Sequence, residues 1–223
     1  MDAGKLWRCQ QFFLRGLLKD RRYSYAIRAY QTDKDAFMQL YTSVRHTGGF
    51  ADYFRIEGTF VPRVQPGQPA AKTSKGRRKP SNFLVHFAPI MSDTTFGKRP
   101  AEGLIEYMAE HDITRLFLVS PTMITAQGKQ VLAAAVTVEY WPMLACLSEA
   151  ELHYTVPRCR RLSVKEKRAF YAAKTLTHSN MSRMLVSERV ARYWDFQPGD
   201  LIDIERQTHV GILQGEKRVV VHA

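Results

Sequence analysis

Between residues 83 and 144, short apolar runs alternate with stretches of helical period, an order that few folds accommodate. Phe83-Leu84-Val85-His86-Phe87 has the length and continuous apolar character of a buried strand. Ala101 to His111 places Leu104, Ile105 and Met108 on one helical face, and Ile113 to Val119 is again a strand. A helix opened by Ser120-Pro121 or by Thr125 carries Val131, Leu132 and Ala135, and a last strand falls within Val136–Leu144. Strand, helix, strand, helix, strand predicts a sheet with helices on its faces.

Upstream, Leu6, Cys9, Phe13, Leu14, Leu17 and Leu18 recur at helical spacing over Lys5–Lys19, with Lys5, Arg8, Arg15 and Lys19 mostly off that stripe. An amphipathic helix with a basic outer surface follows, ended by Asp20-Arg21-Arg22. Thr32 and Asp35, at capping-box spacing, predict a second helix over Phe37, Leu40, Tyr41 and Val44, stopped by Gly48-Gly49. Phe54, Ile56 and Phe60 alternate with Arg55, Glu57 and Thr59, the period of a strand. Residues 65–80 hold no large apolar side chain and five cations, so they are expected to form a mobile basic loop.

Near residues 149–157 the pattern changes. Pro157 and the run Arg158, Arg160, Arg161 mark a junction, and Ser163 with Glu166 forms a capping box before a helix. Val190 to Trp194 is a short helix, Gln197-Pro198-Gly199-Asp200 a turn, and Leu201–Glu205 a strand. His209-Val210-Gly211 and Gln214-Gly215-Glu216 are turn candidates before a final strand, Arg218–Val221. The expected organisation is an α/β domain over residues 1–150 and a small α+β domain over residues 151–223.

The 223 residues carry 33 Lys and Arg against 21 Asp and Glu, a formal +12, which directs attention to nucleic acid or an acidic protein surface. The longest apolar run, residues 131–138, is too short to span a bilayer, and no targeting signal is recognisable near Met1, so a cytosolic or nuclear address is expected. Cys9, Cys146 and Cys159 are scattered and form no CxxC pair, and the seven histidines show no HxxxH or HxH spacing. No phosphate-binding glycine loop occurs either. His86, inside an apolar run, is expected to be a core or interface residue, and Ser120 and Ser163 to be helix caps. A metal-dependent nuclease would need a Glu or Asp two residues before a Lys, and no such pair exists. Glu57 and Glu139 sit on strands and are expected to face solvent. No catalytic, cofactor or metal site is expected. The cluster Lys75, Arg77, Arg78, Lys79 suits both phosphate attraction and a nuclear localisation signal.

His153-Tyr154-Thr155-Val156-Pro157, Leu162-Ser163 and Glu166-Lys167 resemble the segment that opens the C-terminal domain of the RNA polymerase subunit 5 family. Val190-Ala191-Arg192-Tyr193, Gly199-Asp200, Ile204-Glu205-Arg206, Thr208 and Gly211 resemble the signature that closes it; the family's archaeal counterpart consists of that domain alone. Leu6-Trp7-Arg8, Phe83–Phe87 and the Thr125–Leu132 helix follow the family's order upstream. The sequence departs from the family at Glu188-Arg189, where Asp-Pro is usual, and at Cys159, where a His is usual. The Thr208–Gly211 turn is a residue short, a Tyr-Arg pair near the C-terminus is missing, and residues 65–80 resemble an insertion.

The resemblance implies a non-catalytic subunit of a nuclear DNA-dependent RNA polymerase, and its departures a diverged paralogue serving one enzyme, with polymerase I and the nucleolus as the expectation. It implies an N-terminal jaw domain, restriction-endonuclease-like without an active site, beside downstream duplex DNA. It also implies a C-terminal domain that docks on the largest subunit. Lys5, Arg8, Arg15 and Lys19 are then the DNA-proximal candidates. His153, Pro157, Ala191, Arg192, Tyr193, Asp200 and Arg206 are the assembly candidates. The competing reading is a free-standing basic DNA- or RNA-binding protein.

Overall fold

A computed structural model describes residues 2–47, 50–61, 80–88, 95–148, 156–173, 180–207 and 213–222. Residues 65–79, His153 and the Thr208–Gly211 turn lie outside them. The described residues up to Ser148 form one compact unit and those from Val156 on a second. No helix among the described residues is long and apolar enough to cross a membrane.

The first unit opens with α1 (Ala3–Gln11), whose N-terminus is capped by the Asp2 carboxylate accepting from the Gly4 amide at 2.8 Å. The chain continues through π-helical turns, Phe12–Leu17, into α2 (Leu18–Asp20). The helical run ends there because Arg22 turns left-handed, φ 59°. After β1 (Ser24–Tyr25) and a 3-10 turn (Ala29–Gln31) comes α3 (Lys34–Val44). Its cap is Asp33, not Thr32: the Asp33 carboxylate accepts from the Asp35 amide, while the Thr32 hydroxyl donates backwards to the Ala29 carbonyl. The short α4 (Phe50–Phe54) takes in Phe54, so the strand pattern starts two residues later, at β2 (Ile56–Phe60).

The alternation downstream appears as β3 (Ser81–Phe87), α5 (Lys98–Glu110), β4 (Ile113–Ser120), α6 (Ala126–Ala135) and β5 (Thr137–Pro142), followed by α7 (Met143–Cys146). Thr125 opens α6, its hydroxyl accepting from the Gly128 amide at 3.1 Å, whereas the Ser120 hydroxyl donates to the Thr122 carbonyl in a turn. The five strands form one mixed sheet in the order β1-β2-β3-β4-β5, with β3, β4 and β5 parallel. The strand period of two sends alternate side chains to opposite faces. Leu84, Leu116 and Leu118 meet Leu104 and Met108 of α5 and Leu132 of α6 on one face. Phe83, Phe87, Phe117 and Trp141 face the other, where the Phe13 ring lies 6.1, 5.8 and 6.2 Å from the Phe87, Phe117 and Trp141 centroids. Those edge-on contacts fix the first helical run to the sheet.

The second unit contains β6 (Arg158–Arg161), α8 (Val164–Ala173), β7 (Ser182–Leu185), α9 (Arg189–Tyr193), β8 (Leu201–Gln207) and β9 (Leu213–Val221). Its sheet runs β6-β8-β9-β7, antiparallel except for the β7–β9 pair. Gln214-Gly215-Glu216 is not a turn: it pairs with Ile204–Arg206 inside the β8–β9 ladder. Ile202, Ile204, Val220 and Met184 pack with Ala191 and Phe196 on the α9 side. Leu201 and Val219 pack with Leu162 and Met181 on the other, where Phe170 and Tyr171 of α8 are only partly buried.

Candidate assembly and nucleic-acid surfaces

Lys5, Arg8, Arg15 and Lys19 are all exposed on the first helical run. What holds that run in place is partly ionic. Glu139 of β5, in register with Phe117 and so on the face the first helix covers, is largely covered rather than solvent-facing. The Arg21 guanidinium donates to both of its oxygens, at 2.8 and 2.9 Å, and Arg115 donates to Oε1 at 3.1 and 2.6 Å. Side-chain exposure is 1% for Arg21, 13% for Arg115 and 17% for Glu139. Burial pushes the Glu139 carboxyl up, and the two guanidiniums outweigh it, so it is held below the ordinary value. Arg21 and Arg115 also lie 5.5 and 5.8 Å from the Phe117 ring centre. The expectation of a solvent-facing acid fails because both partners come from elsewhere in the sequence.

Glu57 lies on the opposite face of the sheet. It accepts from the Tyr107 hydroxyl of α5 at 2.6 Å and pairs with Arg55 at 2.7 Å. Arg55 stacks 4.2 Å over the Tyr107 ring, whose other neighbour is the His111 ring at 4.1 Å. Burial and the Glu57 carboxylate push the Tyr107 hydroxyl up to about 12. Glu57 and Glu139 therefore point away from each other and share no site. No group of three or more His, Cys, Asp and Glu among the described residues could hold a metal ion.

In the second unit, α9 and the turn after it are stapled to the sheet. The Gly199 amide donates to the Val220 carbonyl at 2.8 Å, and the Val220 amide to the Asp200 carbonyl at 3.0 Å. Gly199 needs its φ of 87°, a left-handed value that costs a glycine little. The Asp200 carboxylate accepts from the Gln197 amide at 2.9 Å and from Arg161 at 3.1 Å. Both bonds fall on Oδ2, so that oxygen is engaged within the unit.

Ala191 and Tyr193 are 0% and 1% exposed. They are core residues of the unit and shape its surface from within. Pro157 is half-buried, with its carbonyl accepting from the Cys159 thiol at 3.5 Å. Arg192 is half-buried and Arg206 exposed. Burial pushes the Cys159 thiol up to about 11, with Arg206 and Arg218 pulling the other way.

Sequence reasoning missed a network on the α8 side. Arg160 meets Glu166 at 2.8 Å and Asp203 at 3.3 Å, and Lys217 meets Asp203 at 2.9 Å. The signal was present as six cations and one acid between residues 158 and 173.

A two-faced four-stranded sheet whose connecting turn is closed by Gly199-Asp200 defines a small α+β module. Residues 149–211 match the family model for RNA polymerase Rpb5, C-terminal domain. Over 133 residues the chain is 29% identical to DNA-directed RNA polymerases I, II, and III subunit RPABC1 of Caenorhabditis briggsae, covering 57% of this chain. The match spans 61% of that relative's length. The likeness to the Rpb5 C-terminal domain thus falls on the second unit.

Proposed function

We propose that this protein is a non-catalytic subunit of a nuclear DNA-directed RNA polymerase. Residues 1–150 form a jaw domain bordering downstream duplex DNA, and residues 151–223 dock on the largest subunit. The observation that carries the reading is the Rpb5 C-terminal domain match over residues 149–211. The exposed row Lys5, Arg8, Arg15 and Lys19 supports the DNA side of it. The exposed Arg206 and half-buried Arg192 support the docking side, since a planar guanidinium holds carboxylates and carbonyls across an interface.

Gentle affinity purification with mass spectrometry tests this. The other polymerase subunits should remain with the chain at salt that strips phosphate-only binders. The largest subunit recovered identifies the enzyme; polymerase I would place the chain in the nucleolus. Recovery of nucleic acid alone, released as salt rises, would make it a free-standing basic binding protein. Neutralising Lys5, Arg8, Arg15 and Lys19 in the assembled enzyme should lower the slope of log affinity against log salt by about 0.9 for each phosphate no longer neutralised.

A further inference from the structure

Helix α8 has ten residues and none is buried. Val164 is 69% exposed, and Lys165, Arg168, Ala169, Ala172 and Ala173 are exposed as well. Only Lys167, Phe170 and Tyr171 are half-buried, and the two rings are what meets the sheet. A helix this short is marginal by itself and ordinarily buries an apolar stripe. Here the layer beneath it is thin: Phe170, Tyr171 and Val221 are partly open around a small buried cluster of Leu162, Met181, Leu201 and Val219.

Charge says what would cover it. Arg158, Arg160, Arg161, Lys165, Lys167 and Arg168 stand against Glu166 alone between residues 158 and 173. Glu166 is occupied by the Ser163 amide at 2.7 Å and by Arg160 at 2.8 Å. Lys165 and Arg168 have no ion-pair partner among the described residues. A duplex phosphate surface would take the cations but leave Val164 and the alanines in water, with no exposed ring to stack on bases. A protein surface uses both, because an interface joins an apolar centre to a polar rim and small residues permit close approach.

We propose that the outer face of α8 is a docking surface for another subunit of the polymerase, one presenting an acidic surface with a short apolar seam. This rests on the proposed function and adds the place and chemistry of the contact. The seam would meet Val164, Ala169 and Ala172, and the acids Lys165 and Arg168.

Carbodiimide coupling of the purified intact polymerase, which joins a lysine amine to a carboxylate within contact distance, should link Lys165 to an Asp or Glu of another subunit. Lys165 should also resist acetylation there compared with the free chain. The full-length K165E/R168E variant should recover other polymerase subunits about ten-fold less well or worse, with unchanged circular dichroism. If that variant fails to fold, coupling and acetylation of the unaltered protein decide. Equal acetylation of Lys165 in the free and assembled protein would overturn the inference, as would normal assembly of a folded K165E/R168E variant. Protection of Lys165 that appears only with added duplex DNA would assign the face to nucleic acid and overturn it too. A wild-type chain that recovers no polymerase subunits would instead sink the proposed function.

Discussion

Replacing Glu139 by Gln removes one charge and converts one acceptor into a donor without changing size. The substituted amide would present N–H groups to Arg21 Nη2, which now donates to the carboxylate at 2.9 Å. Two guanidiniums would then share a site with no counter-charge. A surface ion pair is worth at most about 1 kcal/mol, but with Arg21 buried at 1% and Arg115 and Glu139 only 13% and 17% exposed, this cluster stands much nearer the buried limit. Breaking a buried pair by removing one partner costs about 3–5 kcal/mol. For a chain of this size each kcal/mol moves the melting temperature by about 2–4 °C, so the first unit should melt about 6–20 °C lower. Thermal melts need a readout confined to that unit, and hydrogen exchange over β4 and β5 supplies it.

Acid provides a second arm. The Glu139 value is depressed in the folded state, so its contribution is fully present above the unfolded value and drains as pH falls through the folded one. The gap between wild type and E139Q should therefore close in acid. Replacing Arg21, Glu139 and Arg115 together by Met, Leu and Met should restore much of the stability, because an apolar cluster leaves no charge unpaired. An E139Q melt within about 2 °C of wild type, or a triple variant no better than the single, would refute the reasoning.

Three further perturbations follow from the same structure. Gly58→Ala places a Cβ 2.1 Å from the Ser24 carbonyl oxygen and 2.8 Å from the Phe83 ring, so β1 must separate from β2; the cost should be about 3 kcal/mol, and an unchanged denaturant midpoint would remove the close approach. His86 should titrate at about 4 by NMR, since burial opposes its charge more than Asp52 favours it; stability from the neutral ring is full above the unfolded value of about 6.5 and falls between there and 4, and a measured value near 6.5 would place the ring in water. Ser163→Ala deletes the hydroxyl that accepts from the Glu166 amide at 3.3 Å and should cost about 1 kcal/mol, read as faster amide exchange at the start of α8.

What is legible in the sequence is local. The β3-α5-β4-α6-β5 order follows from periodicity, and the Ser163–Glu166 box follows from spacing, because each rests on residues a few positions apart. Phe54 misleads for the same reason: α4 ends on it, and its buried ring satisfies the strand alternation of Ile56 and Phe60 without belonging to the strand. Gly215 reads locally as a turn because a glycine between polar residues suits one, and only its pairing with Glu205 in the β8–β9 ladder makes it part of a strand.

Glu139 is the clearest case of what spacing cannot carry. Its partners Arg21 and Arg115 lie 118 and 24 residues away, so nothing near it distinguishes a buried acid from a solvated one. The same separation gives it its role. Arg21 ends the helical run that displays Lys5, Arg8, Arg15 and Lys19, and Arg115 and Glu139 sit on adjacent parallel strands. A change at Glu139 should therefore alter how the basic helix is held without touching any of its cations. If the helix is the DNA-facing element, E139Q should weaken DNA retention while the salt slope, which counts neutralised phosphates, stays nearly constant. Neutralising the cations should weaken retention too, but with a lower slope. Equal slopes in both variants would separate this helix from the DNA path.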